Sequence, residues 1–146
     1  MKYTKKYKQT IIPEVSTDYW EQFMPTMARK KMFEFYNTHY FQKKRVINQH
    51  LGIAVEFDAT GGRKTCFGSG VYPKKKCLIE VLDKMIRYAE YSNFGERKPK
   101  DPANVIGYLN FNVKVRIDGK IEYIHLIIRM TNNGKFHYSM EVNVWK

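Results

Sequence analysis

The residues of this sequence best suited to move protons and hold charge lie near its C-terminus: Tyr108, His125, Arg129, His137 and Glu141. Cleavage of RNA by its own 2′-hydroxyl needs a base, an acid and a cation to steady the charge growing on phosphorus, and it needs no metal. In such a scheme His137 or His125 moves protons, and Arg129, with Lys64, steadies the phosphorane-like state. Tyr108 positions the substrate or donates a proton. Arg129 is the residue least expected in its setting, because it interrupts the apolar run IHLIIRM. Polar side chains are also ordinary on the outer face of an antiparallel sheet, where a pair such as His125 and Glu141 is more often a cross-strand electrostatic contact than a catalytic dyad.

A second group is suited to phosphate. Gly61-Gly62-Arg63-Lys64-Thr65 reads as a glycine-flanked cationic turn, but it lacks the G-x-x-x-x-G-K-[ST] spacing of a nucleoside-triphosphate loop. Lys74, Lys75 and Lys76 stand at the start of an expected helix, where the dipole disfavours cations, so they serve either a ligand or a solvated face. Asn112 and Lys114 complete the candidate nucleic-acid contacts.

Two turns bring the first group together. Asp118-Gly119 is a strong two-residue hairpin signal; it pairs Ile117 with Lys120, so that Leu109, Phe111 and Val113 face Ile128, Leu126 and Ile124. A three-residue loop, Asn132-Asn133-Gly134, with Gly134 left-handed, then pairs Met130 with Phe136, Ile128 with Tyr138, Leu126 with Met140 and Ile124 with Val142. The opposite face presents rows: Tyr108, Arg129, His137; Asn110, Ile127, Ser139; Asn112, His125, Glu141; Lys114, Tyr123, Asn143.

Upstream, Asp18 and Glu21 resemble a capping box, and a helix is expected from about Pro25 to Thr38. Its buried stripe would hold Met27, Met32, Phe33, Phe35 and Tyr36. Residues 52–58 alternate as a half-buried strand, 59–62 read as a turn, and 63–67 as a short strand pairing back. Cys77, Leu78, Val81, Leu82, Met85, Ile86 and Ala89 recur at helical spacing over about residues 74–91, and 93–102 read as a loop. Residues 1–15, with lysines between Tyr3 and Tyr7, read as an arm that lies on a phosphate backbone or in solvent. The fold class is therefore α+β: an N-terminal helical segment, then a helix packed on a curved antiparallel sheet ending in a three-stranded meander. One domain is expected, with residues 1–45 as a basic, aromatic extension and 48–146 as its core.

Lys and Arg number 26 against 14 Asp and Glu, a formal charge of +12. That exceeds the magnitude of ~2 to 8 that solubility asks of a small domain, and it suits a polyanionic partner. The 43% hydrophobic content excludes a disordered polyelectrolyte. No apolar stretch approaches the ~20 residues of a membrane span, and MKYTKKYKQT has no secretory core, so a cytoplasmic location is expected. Cys66 and Cys77 lack a Cys-x-x-Cys pair or matching histidines, so neither a metal, a cofactor nor a disulfide framework is implied.

The runs HLGIAVEFDATGGRKT, YPKKKCLIEVLDKMIRYAEY and VIGYLNFNVKVRIDGKIEYIHLIIRMTNNGKFHYSMEVN, over about residues 48–143, resemble the large polyvalent protein-associated domains of phages and mobile elements. The resemblance implies a nuclease fold of the barnase, EndoU, colicin and RelE type, a substrate face suited to RNA, and a bacterial host cell. It also implies that Arg129, Glu141 and Arg63-Lys64-Thr65 carry over as functional positions.

The expected partner is thus a nucleic acid, RNA favoured, or a nucleoprotein complex. A metal-independent endoribonuclease would concentrate its sensitivity in the sheet-face rows. A non-catalytic inhibitor, for example of an RNA-guided CRISPR effector or its guide RNA, would instead use a wider set of lysines and the aromatics Trp20, Phe23, Tyr36 and Tyr40. Those aromatics also read as core.

Overall fold

The computed structural model describes residues 7–67, 76–138 and 143–145, with backbone alone at 64, 67 and 143–145. Among them the order is β1 (Glu14–Val15), α1 (Asp18–Glu21), α2 (Pro25–His39), β2 (Arg45–Ile47), β3 (Ala54–Phe57), α3 (Ala59–Phe67), a 3-10 turn (Leu78–Val81), α4 (Leu82–Tyr88), β4 (Glu90–Glu96), β5 (Val105–Ile117), β6 (Lys120–Thr131), β7 (Phe136–Tyr138) and β8 (Asn143–Trp145). The α+β class is as expected, and the sheet is strongly curled. Its strand order is β1-β5-β6-β7-β3-β2, with β4 added on β5 and β8 on β6.

The central hairpin follows from its turn. Asp118 and Gly119 have φ of 51° and 81°, the double left-handed conformation that matches strand twist, and Ile117 pairs with Lys120 as expected. Odd-numbered residues of β5 are therefore buried, and Ile124, Leu126 and Ile128 of β6 join them. Gly134 has φ 77°, and Met130 and Ile128 pair with Phe136 and Tyr138, again as expected. The register then moves by two: Ile124 faces Val144 and His125 faces Asn143, not Val142 and Glu141. Two residues more than an even ladder requires separate Tyr138 from Asn143.

Three further expectations change. Residues 59–67 form α3 rather than a turn and a strand. Asp58 initiates it: its Oδ1 accepts from Gly61 N at 2.7 Å, which satisfies one of the free N–H groups of the first turn. The glycine pair then allows close packing rather than turning. A Cβ on Gly61 would collide with the Tyr138 carbonyl, and one on Gly62 with the Tyr36 ring. Secondly, the expected long helix ends at Tyr88, where Ala89 turns extended, and 90–96 form β4 on the open edge of β5, with a bulge between Tyr91 and Asn93. Non-local pairing overrides the loop-like composition there. The apolar positions from Cys77 to Ala89 are nonetheless buried as the spacing predicts.

Thirdly, the N-terminal segment is fastened to the sheet from Tyr7 onward. Gln9 donates to the Lys114 carbonyl and accepts from its N–H, both at 2.8 Å, so a side chain stands in for a strand. Pro13 O accepts from Arg116 N, and β1 pairs parallel to β5. Trp20, Tyr36 and Tyr40 are core: Trp20 Nε1 donates to Glu80 and Tyr40 Oη to Ile79 O, each at 2.6 Å, and all three join the cluster holding Phe57, Leu82 and Phe111. α2 keeps its expected bounds within a residue, but it buries Ala28, Met32 and Tyr36 and leaves Met27 exposed. Cys66 and Cys77 are buried, and desolvation pushes each thiol up to about 12.

Candidate functional site

The row Tyr108, Arg129, His137 is realised across β5, β6 and β7. The structure extends it with a fourth strand: β3 lies parallel to β7 and sets Glu56 beside His137. One residue past Glu56 and Phe57, Asp58 reaches into the same row. Its Oδ2 accepts from Arg129 Nη2 at 2.6 Å, while its Oδ1 caps α3. Its carbonyl accepts from Tyr36 Oη at 2.6 Å. α2 therefore holds the backbone of Asp58, and its carboxylate is shared between the first turn of α3 and Arg129 of β6.

His137 completes the cluster. Its Nδ1 is buried, lies 3.7 Å from Asp58 Oδ2, and has no hydrogen-bond partner among the described residues. Burial first, and then the Arg129 charge, hold the imidazole below the ordinary histidine value, against the opposing pull of Asp58 and Glu56. It is therefore neutral near pH 7. With Nδ1 turned inward, Nε2 is the nitrogen left for a ligand.

An open cleft of about 530 Å³ lies over this histidine. One wall is the α2–β2 connection, Phe41 to Arg45, where Gln42 adopts φ 58°; the other holds Glu56, Phe57, Asp58 and His137. Lys43, Lys44 and Arg45 are exposed on the rim. Lys44 pairs with Asp83 at 2.7 Å, and Lys43 Nζ donates to Asn37 O. Sequence reasoning passed over this wall, as it did Glu56 and Asp58. Three consecutive cations, Lys43-Lys44-Arg45, were the available signal.

None of the other expected site residues lines the cleft. His125 stands four residues along β6 from Arg129, roughly 13 Å away. It contacts Asn110 Oδ1 through Nε2 at 2.9 Å, and burial lowers its pKa. It cannot share one phosphodiester with His137. Tyr108 is engaged by Asp101, and burial followed by that hydrogen bond pushes its phenol up to about 12, so it is a poor proton donor. Thr65, expected to meet phosphate, is buried with its Oγ1 2.5 Å from Tyr138 Oη, and Lys76 is buried as well. Both belong to packing, because α3 and the segment before α4 lie against the core. Arg63 is exposed on α3; Asn112 and Lys114 are exposed on the outer sheet face. Glu141, Lys74, Lys75 and the side chain of Lys64 lie outside the described residues.

Among the described residues no helix is long and apolar enough to cross a membrane, and no group of histidine, cysteine and carboxylate side chains has the makings of a metal site. The sequence model of a family described as large polyvalent protein-associated domain 3 matches residues 24–138. That span runs from α2 to β7 and contains every residue lining the cleft. No curated protein and no solved structure matches the chain.

Proposed function

The chain belongs to the large polyvalent protein-associated domain 3 family, which associates it with phages or mobile elements, and on that premise we propose that it engages RNA in the cleft between the 41–45 connection and β3–β7 and cleaves it without a metal. The observation that carries this reading is His137: a neutral imidazole, its Nδ1 3.7 Å from the Asp58 carboxylate, under an open cleft rimmed by lysine and arginine. In the reaction, His137 Nε2 takes the proton of the 2′-hydroxyl as the 2′-oxygen bonds to phosphorus. The phosphorus–5′-oxygen bond breaks, and the leaving oxygen takes a proton from water in the open cleft. Lys43 and Arg45 balance the added charge on phosphorus. Arg129, already held by Asp58, acts as a positioning residue for that carboxylate rather than as the phosphate clamp.

The test is incubation of single-stranded and structured RNA with the protein in EDTA, resolved on a denaturing gel across pH. Cleavage is expected to rise with pH through a midpoint below 6.5 and to level off above it, because the base works deprotonated and its pKa is lowered from 6.5. His137→Ala is expected to reduce the rate at least about 100-fold. Intact RNA at every pH would reject cleavage.

A second reading, a non-catalytic inhibitor that occupies the nucleic-acid groove of a host nucleoprotein in the bacterial cytoplasm, is favoured by a different observation. The cluster's arginine is committed to Asp58, and the second histidine is remote. RNA that is bound but left intact, with cleft substitutions abolishing binding, is the result this reading predicts.

A further inference from the structure

On the outward face of the central hairpin, no carboxylate occupies the positions from Tyr108 to Arg116 on β5 or from Ile121 to Arg129 on β6. Toward the turn end of that face Tyr123 is 55% exposed, more than any other aromatic residue among the described residues. It sits opposite Lys114 on β5, and on its other flank β8 sets Trp145 opposite it. Beside the ring is a concavity of about 210 Å³ bordered by Asn112, Lys114, Gln9 and Glu90. Glu90 is occupied there, since its Oε2 accepts from Gln9 N at 2.9 Å.

We infer that this face is a second, non-catalytic subsite, in which Tyr123 stacks on an unpaired base of a single-stranded RNA whose backbone continues to the cleft. The inference rests on the reading of the cleft as an RNA site. An exposed phenol ring on a rigid strand offers a flat apolar surface that any base can cover, and stacking is a main source of single-strand affinity. The absence of acids from the outward positions of both strands, with Glu122 turned to the buried face, and the cation at Lys114 make the face complementary to a polyanion. The exposed Asn112 amide supplies both a donor and two acceptor lone pairs beside the ring, as base edges require. Duplex RNA cannot use the platform, because its bases are already stacked and its deep groove is closed to side chains.

Tyr123 and Arg129 are on one strand and one face, six residues or roughly 20 Å apart. A single strand of a few nucleotides laid along β6 therefore reaches from the platform to the cluster beneath the cleft. The platform would set which strands are held, while the cleft acts on the backbone.

The experiment is fluorescence anisotropy with a labelled 2′-O-methyl oligouridylate, which has no 2′-hydroxyl to cleave it, and, in parallel, a labelled 2′-O-methyl duplex. Wild type is compared with Tyr123→Ala, Tyr123→Phe and the cleft variant Lys43→Ala/Lys44→Ala/Arg45→Ala. Tyr123→Ala is expected to weaken single-strand binding roughly 5- to 150-fold. Tyr123→Phe should retain it, and duplex binding should not change. Thermal unfolding checks that the exposed substitution leaves the fold intact. Wild-type affinity in Tyr123→Ala, with binding lost in the cleft variant, overturns the platform and leaves the cleft standing. An equal loss for duplex and single strand overturns stacking. No binding by the wild type overturns both.

Discussion

Asp58→Ala is expected to destabilise the protein by about 4 kcal/mol, the largest effect of any single substitution around the cleft. Two separate losses add. The Arg129 guanidinium, only 19% exposed, loses a carboxylate held at 2.6 Å, and taking one member out of a largely buried ion pair costs about 3 kcal/mol. α3 also loses its capping oxygen, worth about 1 kcal/mol. The charge explanation makes a further demand: in the double variant Asp58→Ala/Arg129→Met most of the first loss should return, because the guanidinium that lost the carboxylate is gone as well. Denaturant midpoints of the two single variants and the double variant measure this directly. Equal stability of Asp58→Ala and the double variant would assign the whole effect to the cap.

Gly61→Ala is the second. Alanine is ordinarily the better helix former, so on propensity alone the change should stabilise α3 by about 1 kcal/mol. Here the added methyl meets the Tyr138 carbonyl of β7, which is backbone in a paired strand and cannot swing aside. Overpacking of this kind costs about 3 kcal/mol, or roughly 10 °C in the unfolding midpoint of a domain of this size. α3 must lift from β7, and Asp58, at the head of that helix, moves away from His137. Thr60→Ala on the exposed side of the same turn is the control and should leave the midpoint unchanged. A Gly61→Ala protein as stable as wild type would mean that α3 and β7 are not in contact.

These two residues also show where sequence reasoning stops. The hairpin of β5 and β6 was legible to the residue, because Asp118-Gly119 is a local signal and the alternation on both sides of it agrees. Met32 and Tyr36 on the buried face of α2, the apolar set from Cys77 to Ala89, and the Gly134 turn were legible for the same reason: each is carried by a short period or a turn residue. Gly61 and Gly62 carry no such information. Whether a glycine pair turns the chain or lets two elements touch depends on Tyr138 and Tyr36, which arrive from distant parts of the sequence. β4 was hidden in the same way, since what makes Glu90–Glu96 a strand is the unfilled edge of β5.

The candidate site divides along that line. Tyr108, Arg129 and His137 could be set in one row from the two turns alone. Their environment could not, because it depends on the parallel pairing of β3 with β7, and parallel pairing leaves no turn signal. That pairing brings Asp58 to Arg129 and Glu56 to His137, and so changes Arg129 from a free cation into the partner of a fixed carboxylate. The separation of His125 from the cleft follows from the hairpin register, but the Asn143 opposite it follows from the two-residue shift, which nothing local announces.

The central claim is that RNA phosphates bind at the 41–45 rim above His137. The most direct test is the salt dependence of 2′-O-methyl oligouridylate binding by wild type and by Lys43→Ala/Lys44→Ala/Arg45→Ala. Each phosphate contact on a single strand contributes about 0.7 to the slope of log affinity against log salt. The account predicts a steep wild-type dependence and a slope shallower by about 1.4 in the triple variant, the share of Lys43 and Arg45, since Lys44 is paired with Asp83, with weaker binding throughout. An unchanged slope and affinity would place the RNA elsewhere on this basic surface and would contradict the claim.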